Sequence, residues 1–96
     1  MAGEAKLQAK ITDYLTPRRD VWFLNKWGNS VEKGGVPDIL ICYKGFFIAL
    51  EIKNPNGSYD TDPRQKIELR KIRKSGGIAL KIDNFNDFLT KFNSLI

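Results

Sequence analysis

The spacing of apolar residues changes period several times along the chain, and each change predicts an element. Between Gly3 and Leu15, apolar side chains at Leu7, Ile11, Tyr14 and Leu15 recur at helical spacing, and Thr16-Pro17 ends the run. Glu4 falls on the same stripe one turn before Leu7, with Gln8 on its edge. Val21 to Trp27 alternates as a strand does, with Val21, Phe23 and Asn25 on one face and Trp22, Leu24 and Lys26 on the other. Trp22, Phe23 and Trp27 are read as core residues rather than base-stacking ones. A loop bracketed by Gly28-Asn29-Ser30 and Gly34-Gly35 leads to two apolar runs, Asp38–Tyr43 and Phe46–Lys53, joined by Lys44-Gly45.

That joint predicts a hairpin, because Gly supplies the positive φ that tight hairpin turns need. In the implied register Tyr43 faces Phe46, Ile41 faces Ile48 and Asp38 falls opposite Glu51. Opposed residues share a face, about 4.5–5.5 Å apart at Cβ. Lys53, two positions beyond Glu51, shares it as well. Both faces of the hairpin are largely apolar, so helices are expected against the sheet on one side or both.

The polar stretch Asn54 to Asp62 reads as a surface loop. Asp62-Pro63 then starts a helix, with Asp as N-cap and Pro in the first turn, and Ser75-Gly76-Gly77 ends it. Gln65, Leu69 and Ile72 form its inward stripe. Ile78–Ile82 is a further strand, and Phe85, Phe88, Leu89, Phe92 and Leu95 mark a last helix from about Asn84. The order is αβββαβα, an α/β domain with a mixed central sheet flanked by helices.

Composition narrows the chemistry. A chain of 96 residues has room for one core. Sixteen Lys and Arg against eleven Asp and Glu leave a net charge of +5, which favours a polyanionic partner such as nucleic acid. The absence of His excludes His-based metal sites and Ser/His/Asp catalysis. The lone cysteine, Cys42, is read as a small buried hydrophobe in a reducing compartment, and no run approaches membrane-spanning length. A soluble, cytoplasmic protein is expected. Two carboxylates and a lysine meeting at one end of an apolar hairpin are costly unless they hold something. A divalent cation is the expected occupant, with the Ile52 backbone carbonyl near the cluster.

These residues match a pattern. Glu4, then Gly35-Val36-Pro37-Asp38, then Glu51-Ile52-Lys53, then the loop Asn54-Pro55-Asn56-Gly57-Ser58 and Gln65-Lys66-Ile67-Glu68-Leu69 resemble the PD-(D/E)XK nuclease superfamily. Within it the resemblance is to the VRR-NUC, or virus-type replication-repair nuclease, domain, and it runs from Glu4 to about Ile82. It implies a restriction-endonuclease-like αβββαβ core and metal-dependent phosphodiester hydrolysis of DNA. Asp38, Glu51 and the Ile52 carbonyl would ligate Mg²⁺ or Mn²⁺, with Glu4 as the first-helix acid. Lys53 would stand near the nucleophile, and Gln65 would face the site from its helix.

Beside such a site, Arg64, Lys66, Arg70, Lys71, Arg73 and Lys74 become candidate contacts to the DNA backbone, where otherwise a charge run is a solvated face. Lys26 and Lys33 are further candidates. Stand-alone members of the group resemble phage proteins that act as homodimers on branched DNA such as four-way junctions, in the host cytoplasm. The alternatives are a nickase or exonuclease directed to flaps or ends, and a DNA-binding module without turnover. The expected dimer surface is Ile67 together with Phe85, Phe88, Phe92 and Ile96.

Overall fold

The computed structural model describes residues 3–26, 35–54 and 62–95. Its elements follow the expected order: α1 (Gly3–Leu15), β1 (Val21–Asn25), β2 (Ile39–Tyr43), β3 (Phe46–Ile52), α2 (Pro63–Lys74), β4 (Ile78–Ile82) and α3 (Phe85–Asn93). Trp27, Lys33, the Gly28–Ser30 turn, most of the Asn54–Asp62 loop and Ile96 lie outside the described residues.

The strands form one sheet in the order β1-β2-β3-β4. The first two pairings are antiparallel and the third, β3 with β4, is parallel, so the sheet is mixed. The β2–β3 register is the expected one, with Tyr43 opposite Phe46 and Ile41 opposite Ile48. Both turn residues have positive φ, 51° at Lys44 and 85° at Gly45, the backbone of a turn that matches strand twist.

Period-2 alternation then divides the sheet into two unlike faces. Ile39, Ile41, Tyr43, Ile48, Leu50, Ile52 and Ile82 pack with Leu7, Ile11 and Leu15 of α1 and with Phe88 and Phe92 of α3 in one buried core. Among the described residues the opposite face carries α2, which packs against β4 and buries Leu69. A helix is about 10–12 Å across and strands lie about 4.8 Å apart, so one helix covers roughly two strands. Here those are β3 and β4. The first two strands stay open on that side.

Three expectations are corrected by this asymmetry. Trp22 is not a core residue: it is 63% exposed, and Leu24, on the same face, is 55% exposed. Cys42, their neighbour in the ladder, is an exposed free thiol and not a buried hydrophobe. The aromatic series of α3 is not surplus surface. Phe88 and Phe92 are buried, and Phe85 and Phe88 meet the edge of Tyr14, so the final helix spends its stripe on the core. Phe23 does pack against the core, and Ile67 is exposed as expected.

Candidate active site

The open end of the α2 face holds the acidic pair. Glu51 is the next-to-last residue of β3, and Asp38 sits immediately before β2. The Asp38 N–H donates to the Leu50 carbonyl at 2.9 Å, and the Asp38 carbonyl accepts the Lys26 N–H at 2.8 Å. The strand start is therefore pinned from both neighbours. Asp38 Oδ2 accepts the Ile52 N–H at 2.8 Å, which fixes the carboxylate as well as the backbone. Lys53 is held in turn by its N–H, which donates to the Ile82 carbonyl at 2.8 Å.

Gln65, in the first turn of α2, joins the pieces. Its Nε2 donates a short hydrogen bond to Glu51 Oε2, and its Oε1 accepts from Lys53 Nζ at 3.0 Å. Lys53 Nζ also stands 3.9 Å from Glu51 Oε2. One amide thus orients both the acid and the base of the Glu-x-Lys strand, the inward position its helical stripe implied. The approach of α2 depends on Gly35. Its φ is +86°, and a Cβ there would lie 2.5 Å from the Arg64 carbonyl oxygen and 2.6 Å from its carbon. The glycine of Gly-x-Pro-Asp lets the first turn of α2, with Gln65, close on the motif.

Glu51 is 2% exposed, and its Oε1 is buried without a hydrogen-bond partner. Burial, with the Asp38 carboxylate beside it, pushes the Glu51 carboxyl up to about 8, against the opposing pull of Lys53 and Lys26. Without a cation, burial and the neighbouring carboxylate therefore favour the neutral form of Glu51. A buried carboxyl oxygen lacking a donor, beside a second carboxylate and at the end of a strand whose carbonyls are hard oxygen ligands, suits a hard divalent cation.

Not every expected residue joins the cluster. Glu4 is exposed on α1, and Gln8, one turn on, takes the buried place on that helix. No group of three or more acidic or cysteine side chains able to hold a metal forms among the described residues, so Glu4 stands apart from Asp38 and Glu51. Arg64 is spent on Asp62, the N-cap of α2, in an ion pair at 2.8 Å. Arg73 donates to the Ala79 carbonyl at 2.8 Å, so it ties α2 to β4. Lys66, Arg70, Lys71 and Lys74 are exposed.

Lys26, expected as an outlying DNA contact, lies next to the acidic pair. Its Nζ donates to the Val36 carbonyl at 2.9 Å and lies 3.9 Å from Asp38 Oδ1. Alternation had put Lys26 on the Trp22 face. The missing signal was the β1–β2 register, Asn25 against Ile39, which carries Lys26 next to Asp38.

No family model matches the sequence, and no curated protein does either. A solved structure described as "VRR_NUC domain" superposes with a TM-score of 0.78 over 100% of both chains, at 18% identity. With the mixed sheet and the helices of its described residues, this chain has the fold of a VRR-NUC domain.

Proposed function

We propose that the protein is a divalent-cation-dependent DNA endonuclease acting on branched DNA such as four-way junctions, with Asp38, Glu51 and Lys53 as its chemical core. The observation that carries this reading is the Asp38–Glu51 pair held by Ile52 N–H and Gln65, with Glu51 Oε1 buried and without a hydrogen-bond partner. The residues that would hold Mg²⁺ or Mn²⁺ are Asp38, Glu51 and the Ile52 carbonyl. When bound, the cation supplies Lewis acidity and lowers the pKa of water at neutral pH. Lys53 adds a positive charge on the same side, where it holds the attacking oxygen and offsets charge growing on the phosphate. Gln65 keeps Lys53 and Glu51 at fixed separation, which preorganises the pair before substrate arrives.

The test is direct. Labelled junction, flap, duplex and single-stranded DNA are incubated with each metal and with EDTA. Metal-dependent paired nicks across a junction support the reading. Cleavage at flaps or ends alone would transfer it to a nickase or exonuclease. Band shifts without cleavage under every condition would leave a DNA-binding module.

Affinity for DNA should fall steeply with salt, because Lys and Arg displace condensed counterions. Replacing Arg70 and Lys74 together by Gln should flatten the log-affinity against log-salt slope by about 2, near 0.9 per lost phosphate contact. Arg64→Gln should change it far less, since Asp62 already neutralises that guanidinium. An unchanged slope in the double variant would place the DNA elsewhere.

We further propose a twofold dimer, since one chain offers one Asp38–Glu51 site and a junction needs two cuts. The support has moved from α3 to other exposed apolar residues: Trp22 and Leu24 on the open face of β1, Phe47 on β3 and Ile67 on α2. Sedimentation equilibrium at micromolar concentration should give twice the 11.0 kDa chain mass, and Trp22→Ser with Leu24→Ser should return it to the monomer. A wild-type monomer, free and on a junction, would remove the dimer.

A further inference from the structure

Extending the observed pairings by one residue draws a single row across the whole sheet: Lys26, Asp38, Glu51 and Lys81, cation–anion–anion–cation on one face. Lys53 is the lysine that the sequence motif supplies. Lys26 comes from a different strand and meets the other acid. Its side chain is only 26% exposed, and it is held at three points. Its N–H donates to the Asp38 carbonyl, its carbonyl accepts from Gln8 Nε2 at 3.0 Å, and its ammonium caps the Val36 carbonyl. Gln8 is itself buried and also donates to Asn25 Oδ1 at 2.7 Å. Helix α1 therefore reaches the acidic pair through Gln8 and Lys26, not through Glu4.

We propose that Lys26 is a positioning residue for Asp38. Two forces act on the Asp38 carboxylate. The Ile52 N–H holds Oδ2, and the Lys26 ammonium, anchored on Val36, stands over Oδ1. Val36-Pro37 is the short span between the two anchors, so the lysine clamps the turn that aims the carboxylate. The Lys26 side chain is folded back onto its own sheet, with its ammonium on the Val36 carbonyl and facing Asp38. At 3.9 Å the ammonium attracts Oδ1 as a point charge, and the direction comes from its hydrogen bond to the Val36 carbonyl, which fixes where that charge stands. The consequence for the cation has a definite sign. If Lys26 acted only as a nearby positive charge, its removal would tighten cation binding. If it aims Asp38, its removal loosens it.

The inference rests on the nuclease reading for its relevance, and the experiment separates the two. Lys26→Met keeps the aliphatic stem and loses the ammonium; Lys26→Arg keeps the charge and a donor. The first readout needs no metal: amide hydrogen exchange at Ile52, whose N–H reports whether Asp38 Oδ2 is in place. Exchange there should become about tenfold faster in Lys26→Met, the effect of weakening one charge-assisted hydrogen bond, and should recover in Lys26→Arg. The second readout is calorimetric titration with Mn²⁺, expected about tenfold weaker in Lys26→Met, the loss that a displaced positioning partner typically brings. Unchanged Ile52 exchange, or tighter Mn²⁺ binding in Lys26→Met, overturns the proposal. Loss of DNA affinity with Ile52 exchange unmoved returns Lys26 to the DNA-contact role and overturns it too. If wild type binds no Mn²⁺ while Ile52 still responds to Lys26→Met, the nuclease reading fails and the positioning role stands.

Discussion

Glu51→Gln is expected to abolish cleavage and yet to melt above wild type at pH 8. The amide keeps the shape and can still accept the Gln65 Nε2–H, but it removes an anionic oxygen from the site. A single preorganised electrostatic contact is typically worth about 10²–10³ in rate, and a metal ligand should be worth at least that. The stability gain follows from linkage. Unfolded, Glu51 loses its proton near 4.5; folded, it keeps it to about 8. Between those values the folded state binds more protons, so stability of the metal-free protein falls as pH rises from about 4.5 to 8 and levels off above.

The amide has no such proton to lose. At pH 8 it should gain a few kcal/mol, on the order of 10–20 °C in melting temperature for a domain of this size, and it should flatten the pH profile between 5 and 8. Thermal melts in EDTA across that range decide the matter. A wild-type melting temperature that does not decline toward pH 8, or a variant that declines just as steeply, would show that Glu51 is not the buried proton carrier.

Among the described glycines, Gly35→Ala should be the most disruptive added methyl. The positive φ is unfavourable for any residue with a Cβ, and the added carbon would press on the backbone of Arg64, which cannot rotate away. A loss of about 3 kcal/mol is expected in urea unfolding, by the strain mechanism that produces large point-mutant effects. Gly45→Ala is the control. Its φ of +85° is nearly the same, but nothing lies within 4 Å of the built Cβ, so only the conformational cost of about 1 kcal/mol remains. Equal effects at the two sites would mean that α2 does not close on the motif. Cleavage should also suffer at Gly35, because pushing the first turn outward draws Gln65 from Glu51 and Lys53.

Much of this site was readable in one dimension because its determinants are local. The hairpin turn at Lys44-Gly45 fixes a register, and a register of period two necessarily puts Asp38, Glu51 and Lys53 on one face. Caps at Asp62, Ser75 and Asn84 are short-range hydrogen bonds, so the helix limits could be read from neighbouring residues. Gln65 followed from its stripe with Leu69 and Ile72.

What the chain order could not decide was how the layers cover one another. Alternation says that Trp22 and Phe23 face opposite ways, but not that α1 and α3 share one side while α2 alone takes the other. That division leaves Trp22 and Leu24 in solvent and buries Phe88 and Phe92. Likewise, a helical stripe orders Glu4 and Gln8 on α1 without saying which of them reaches β1. Lys26 found its place beside Asp38 through the β1–β2 pairing, which at that point joins residues twelve positions apart. Local turns and caps made the acid pair, and long-range packing chose its second lysine.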